Sequence, residues 1–158
     1  MDFLELKPGY NIVRLLTNPW QYLCHSKFVV KDRPRYGQKL KCPAYIENIK
    51  CALCDGNVKH QRRWLFGVYS TVYNKQYLLD TDYKIFRGIK NIACDPAWGN
   101  TIKYDINICL DESTSPFVVP YPPAQRDLES FDTDIMKALT IPTLEDLAII
   151  NSKNYQEI

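Results

Sequence analysis

The sequence lacks the features that would place the chain in or across a membrane. Residues 1–7 do not follow the basic-then-apolar order of a signal peptide. No apolar run approaches the roughly 18–20 residues that a membrane-spanning helix needs. These two absences predict a soluble, cytoplasmic protein, in which clustered cysteines are more typical of metal ligands than of disulfides.

The motifs of the common catalytic sites are also missing. There is no carboxylate cluster typical of metal-dependent nucleases, no glycine-rich phosphate-binding loop and no nucleophile with a partnered histidine. The chain has only two histidines, His25 and His60, so acid–base catalysis has few candidates. The sequence therefore predicts a binding protein and not an enzyme.

Charge is unevenly distributed along the chain. The formal net charge is only +2, but residues 27–63 hold 10 basic and 3 acidic side chains, which accounts for the whole positive excess of residues 1–126. Residues 127–158 hold 2 basic and 7 acidic side chains. A focused basic segment predicts a polyanionic ligand, and the acidic end predicts a regulatory or partner-recruiting tail.

Hydrophobic periodicity predicts a mainly β fold with one helix before the penultimate strand. Alternation places Trp64, Phe66, Val68 and Val72 on one face of a strand and Tyr69, Thr71 and Tyr73 on the other. A stripe of Ile85, Phe86, Ile89, Ile92 and Ala93 predicts the helix, with Thr81 as its N-cap. Strands are predicted over residues 10–16, 22–30, 64–73, 76–79, 101–110 and 117–121, and the helix over residues 82–94.

Five or six short strands, with one helix before the penultimate strand, predict a five-stranded, OB-fold-like barrel, an architecture that commonly binds oligonucleotides. Residues 1–126 are predicted to form the barrel domain, with a zinc-binding arm at about residues 25–60 inserted between early strands. Residues 127–158 are predicted to form a separate, partly helical tail, with helices at residues 132–139 and from residue 143.

The clearest local motif is a cysteine cluster in a segment without hydrophobic periodicity. Cys51 and Cys54 are spaced C-x-x-C and Cys42 lies nearby, which is typical of a structural zinc site with four nitrogen or sulfur ligands. The fourth ligand is His25, Cys24 or His60; His25 is preferred because binding there would fix both ends of the segment. Such a closed site predicts a structural zinc, whose binding orders the segment.

The ligand order His25, Cys42, Cys51, Cys54, with 16, 8 and 2 intervening residues, resembles one known family. It is similar to the zinc-containing OB-fold single-stranded-DNA-binding proteins of tailed bacteriophages, of the T-even helix-destabilising type. A basic-then-aromatic stretch at residues 61–69 and the strand at residues 104–108 after Gly99 extend the similarity over residues 10–123. The resemblance implies one structural zinc per chain and a role in phage DNA replication, recombination and repair in the host cytoplasm. It also implies partner proteins recruited by the acidic tail.

The expected chemistry is phosphate neutralisation by cations and stacking of bases on aromatic rings, with little sequence preference. The phosphate-binding candidates are Lys31, Arg33, Arg35, Lys39, Lys41, Arg62 and Arg63. The stacking candidates are Tyr36, Tyr45, Tyr69, Tyr73 and Trp98. The alternative is a zinc-ribbon interaction protein, such as a transcription or replication accessory factor, which shares the cysteines but binds protein or duplex.

Overall fold

A computed structural model describes residues 2–25, 28–30, 40–42, 61–121, 131 and 155–157. The chain divides into two compact units. Unit 1 comprises Met1–Trp20 and Trp64–Ala138, and unit 2 comprises Gln21–Arg63 and Leu139–Ile158. The strands are β1 (Gly9–Leu15), β2 (Trp20–His25), β3 (Phe28–Val30), β4 (Leu40–Lys41), β5 (Gln61–Ser70), β6 (Lys75–Thr81), β7 (Asp105–Leu110), β8 (Phe117–Pro120) and β9 (Tyr155–Glu157).

The strands of unit 1 form an antiparallel sheet in the order β6–β5–β1–β7–β8. The strand that comes fourth along the chain, β7, lies beside the first, β1, which gives the spatial order of a Greek key. Among the described strands, β6 and β8 are not paired with each other, so the sheet is not closed into a barrel. The prediction of a mainly β fold is confirmed, and the described chain contains little helix.

One face of this sheet makes the core of unit 1. Period-2 alternation directs Val13, Phe66 and Ile106 to the same side, where they are at most 1% exposed. The helix α1 (Tyr83–Ala93) covers them with Ile85, Ile89 and Ile92. Trp64 stacks on the ring of Phe86 in the helix, with centroids 4.3 Å apart and the planes 1° from parallel. The apolar stripe read from the sequence is thus the face that α1 buries, except that Ala93 is exposed.

Helix α1 begins one residue later than predicted. Its N-cap is Asp82 and not Thr81, because the Asp82 carboxylate accepts a hydrogen bond from the Ile85 N–H at 3.0 Å. Thr81 is the last residue of β6, and its hydroxyl donates to the Trp64 carbonyl at 2.9 Å. Thr81 and Asp82 are both common N-cap residue types, so the sequence does not distinguish them. The cross-strand hydrogen bond keeps Thr81 in the sheet, and Asp82 caps the helix.

Three strand predictions are corrected. The strand predicted at residues 64–73 ends at Ser70, and Val72 and Tyr73 lie in the turn to β6, where Asn74 adopts a positive φ of 52°. The strand predicted at residues 101–110 begins at Asp105, because Asn100 caps a short 3-10 helix, Thr101–Lys103, through the Ile102 N–H. The strand predicted at residues 22–30 is divided into β2 and β3.

In unit 2, β2 pairs antiparallel with β4, and β3 pairs antiparallel with β9. β9 belongs to the acidic tail, so residues 155–157 are a strand that pairs with residues 28–30. The helices predicted at residues 132–139 and from residue 143 lie outside the described residues. In the described part of the chain, no helix is both long and apolar enough to cross a membrane.

Candidate metal centre and nucleic-acid interface

The pairing of β2 with β4 brings two of the predicted zinc ligands together. His25 lies opposite Leu40, and the Cys42 N–H continues this register by donating to the Leu23 carbonyl at 2.8 Å. Cys42 is therefore two residues from the partner of His25. Such diagonal positions share a face of an antiparallel pair, with Cα atoms about 7–8 Å apart. This spacing suits one ion bound at about 2.0–2.3 Å by each side chain.

Burial at this position agrees with the donor chemistry. The side chains of His25 and Cys42 are 0% and 1% exposed, and neither Cys42 nor Cys24 forms a disulfide. Cys24 lies opposite Lys41, one residue from His25, so its side chain leaves from the other face of the pair. The register therefore favours His25 over Cys24 as the partner of Cys42.

The remaining ligand candidates, Cys51, Cys54 and His60, lie outside the described residues. Within the described ranges, no group of three or more His, Cys, Asp or Glu side chains could hold a metal ion. His25 and Cys42 are the two members of the predicted set that the structure describes.

Half of the predicted nucleic-acid contacts also lie outside the described residues: Lys31, Arg33, Arg35, Tyr36, Lys39 and Tyr45. Lys41 lies on β4, paired with Cys24.

Strand β5 carries three of the predicted contacts. Arg62 is exposed, and Arg63 and Tyr69 are half-buried. Alternation places Arg63 and Tyr69 on the face of β5 that does not enter the core, whereas Arg62 lies on the same face as the core residue Trp64. The Tyr69 hydroxyl donates to the Asn74 Oδ1 at 3.2 Å, which fixes the end of the ring at the turn.

Tyr73 and Trp98 are both accessible for stacking. Tyr73 is 51% exposed in the β5–β6 turn, and its ring meets Tyr77 edge-on with centroids 5.8 Å apart. Trp98 is 43% exposed and leans on Tyr104, with centroids 5.6 Å apart. Burial, together with the negative charge of Asp95, raises the pKa of Tyr104, so its hydroxyl stays protonated and donates to the Gly99 carbonyl at 3.3 Å.

The face of the sheet opposite the core carries an aromatic pair that the sequence patterns did not single out. Tyr10 on β1 lies opposite Cys109 on β7, and Cys109 lies opposite Phe117 on β8. Cross-strand partners share a face, and neighbouring strands are about 4.8 Å apart, so the two positions are separated by about 10 Å. Tyr10 is 77% and Phe117 49% exposed, with the buried Cys109 between them.

A buried ion pair lies on the same face. The Arg14 Nε donates to Asp105 Oδ1 at 2.8 Å, and the two side chains are 7% and 1% exposed. Arg14 lies opposite Asp105 on one side and opposite Tyr69 on the other. Because the Asp105 carboxylate already neutralises it, Arg14 is not a candidate for binding phosphate.

The middle of this face is covered by a residue of the acidic tail. A Cβ added to Gly67 would lie 2.6 Å from ring atoms of Phe131, which is closer than real carbon contacts allow. Gly67 therefore permits the Phe131 ring to lie directly on the backbone of β5. Its neighbour Leu78, which lies opposite Gly67 on β6, is 0% exposed.

Comparison with protein-family models, with curated proteins and with solved structures found no match to this chain. The functional argument therefore depends on the residues themselves.

Proposed function

We propose that this protein binds single-stranded DNA, coating and protecting unwound strands with little sequence preference. The observation that carries the proposal is the position of the basic segment in the chain. Most of the basic segment, residues 27–60, lies in the connection between β1 and β5, which are the first and second strands of the Greek-key sheet, and residues 61–63 begin β5. In OB-folds, the connection between strands 1 and 2 and the face of strands 2 and 3 form the usual oligonucleotide site.

The strand order supports an OB-fold-like reading of unit 1. The connection from β6 to β7 passes through α1, and the sheet is open between β6 and β8. An OB-fold is a five-stranded, partly open Greek-key barrel. In this reading β5 and β6 correspond to strands 2 and 3, and Tyr69 lies on their outer face.

In this proposal, aromatic rings stack on bases and cations bind phosphates. On the face opposite the core, unit 1 offers two exposed rings, Tyr10 and Phe117, and the half-buried ring of Tyr69, and each ring that stacks on a base contributes about 1–3 kcal/mol. Arg14, which lies among them, is neutralised by Asp105. We assign the phosphate contacts to the basic segment, residues 27–63, which includes Arg62 and Arg63.

We also propose that one structural zinc orders this basic segment, held by His25, Cys42, Cys51 and Cys54. The buried, same-face positions of His25 and Cys42 support the donor set. Four protein ligands leave no position for an activated water, so the zinc would supply folding free energy and not catalysis.

Charge reversal on β5 tests the proposal. Arg62→Glu combined with Arg63→Glu is expected to weaken binding of fluorescent oligo-dT strongly and to reduce the dependence of affinity on salt, because two phosphate contacts are lost. Lys7→Glu is the matched control, since Lys7 is exposed and lies only 3.8 Å from Glu5. Unchanged affinity in the double variant would argue against this binding site. Zinc content without any strand binding would instead favour the zinc-ribbon interaction protein.

A further inference from the structure

A groove of about 450 Å³ lies between α1 and β8, and it shares Phe117 with the aromatic face already described. Gly88 lets the helix approach the strand closely, because a Cβ there would lie 2.9 Å from the Val118 Cγ2 atom. The groove is lined by cations from the helix and by rings from the segments that flank it, including Lys84, Arg87, Trp98 and Phe117.

The helix side of the groove is positively charged. Helix α1 contributes Lys84 and Arg87 to the lining and contains no acidic residue. Both side chains are exposed, and in the described part of the chain neither of them forms an ion pair. Lys84 Nζ lies 3.5 Å from the Ser115 hydroxyl. Among the described residues of the lining, only Asp95 is acidic.

Trp98 is held in place before any ligand binds. Its backbone N–H and that of Gly99 both donate to the Asp95 carbonyl, at 3.0 and 2.9 Å. The Asp95 carboxylate accepts from the Ala97 N–H at 2.9 Å, so it is engaged in the turn. With Tyr104 behind the indole, Trp98 offers a fixed, 43% exposed ring at the edge of the groove.

The strand side disfavours a peptide that would add to the sheet. β8 is an edge strand of unit 1, preceded by Pro116 and ending in Pro120, and both prolines line the groove. Proline has no N–H to donate, and prolines on an edge strand hinder pairing with another chain. A ligand recognised through ring stacking and charge fits these walls better than an extended peptide backbone.

We infer that this groove binds one nucleotide of a single strand, with the base on Trp98 and the phosphate at Arg87 and Lys84. The inference rests on the proposed function and adds to it a contact on the helix side of the sheet. A planar guanidinium group can donate two hydrogen bonds to one phosphate, and an indole ring can stack on any base, so a groove lined by both Arg87 and Trp98 matches a nucleotide unit.

The test uses the full chain and fluorescein-labelled oligo-dT, with Arg87→Glu, Trp98→Ala and Trp98→Leu as variants. Lys103→Glu is the matched charge control, because Lys103 is exposed in unit 1 and does not line the groove. Trp98→Leu keeps an apolar side chain against Tyr104 and covers the case in which Trp98→Ala does not fold. Thermal unfolding of each variant verifies its fold.

Both Trp98 variants are expected to weaken oligo-dT binding by about 5-fold to about 150-fold, which corresponds to one lost base stack. Arg87→Glu should reduce the salt slope by about one phosphate, while Lys103→Glu should not. If the wild type binds and the Trp98 and Arg87 variants bind equally well, the groove inference is wrong and the proposed function stands. If Arg87→Glu weakens binding while both Trp98 variants bind normally, the groove inference is also wrong, since that result indicates a long-range charge effect or a site for an acidic peptide. No binding by the wild type overturns both.

Discussion

At the scale of single residues, the Arg14–Asp105 pair is a buried ion pair that joins two strands of unit 1. Both side chains are almost completely buried, and the bond joins neighbouring strands at 2.8 Å. Removing one member leaves a buried charge without its partner, and this typically costs about 3–5 kcal/mol.

Asp105→Asn is therefore expected to lower the free energy of unfolding by several kcal/mol, measured by urea denaturation. The double variant Arg14→Leu with Asp105→Leu should cost less than Asp105→Asn, because both charges of the pair are removed together. Equal costs for the two variants would show that the pair contributes through packing alone.

The thiols of Cys94 and Cys109 differ in environment and should differ in reactivity. Cys94 is exposed at the end of α1, and Cys109 is 4% exposed. Burial raises the pKa of Cys109, because the thiolate is poorly solvated there. The stability contributed by the buried, protonated Cys109 thiol is fully present below the pKa of this residue in the unfolded chain. It is lost as the pH rises through the pKa of Cys109 in the folded chain.

Maleimide labelling followed by peptide mass spectrometry should modify Cys94 much faster than Cys109 near pH 8, with the Cys109 rate rising only at higher pH. Cys94→Ser should remove the fast phase. Labelling of Cys109 at the rate of Cys94 would contradict its burial between Tyr10 and Phe117.

At the scale of elements, hydrophobic periodicity predicted which faces of the strands and of α1 are buried. Alternation placed Phe66 and Val68 on one face, which is the core face, and the helical stripe identified Ile85 and Ile89. The strand predicted over residues 101–110 began too early because the alternating pattern continues through a segment that the Asn100 cap folds into a 3-10 helix. Periodicity does not include side-chain capping, so it could not distinguish the two.

The sequence did not predict which distant strands are neighbours or in which register they pair. Tyr10 and Phe117 share a face only because β1, β7 and β8 are neighbours in a particular register. The same holds for Arg87 and Trp98, which belong to one groove only because α1 packs against β8. For the metal, spacing alone left Cys24 and His60 open as alternatives to His25. The β2–β4 register favours His25 over Cys24, because only His25 shares a face with Cys42.

The register gives a direct test of the fourth ligand. His25→Ala is expected to abolish or strongly reduce bound zinc, measured by native mass spectrometry, while Cys24→Ser should retain one zinc per chain. His60→Ala should also retain it. Retention of zinc by His25→Ala together with loss in His60→Ala would exclude the β2–β4 face as part of the site.

At the scale of the whole molecule, the acidic segment, residues 127–158, contributes contacts to both units. Phe131 lies on Gly67 of β5 in unit 1. In unit 2, Tyr155–Glu157 pairs with β3. Residues 127–158 carry a net negative charge, so contacts of this segment place acidic sequence within both units.

Gly67→Ala tests the contact with Phe131. The added methyl group would lie 2.6 Å from the ring, and such overpacking costs about 1–3 kcal/mol. The cost should fall when Phe131→Ala is introduced in the same chain, which gives a non-additive double-mutant cycle in urea denaturation. An equal cost with and without the Phe131 ring would mean that the tail does not lie on β5.

The central claim is that the chain binds single strands through phosphate neutralisation and base stacking. The most direct measurement is the affinity of the native protein for fluorescent oligo-dT at two salt concentrations, with a duplex of the same length as control. The account predicts tight binding to the single strand that weakens as salt rises, with a slope of about −0.7 for each phosphate contacted, and weaker binding to the duplex. Binding that is absent, or equally tight for the duplex, would contradict it.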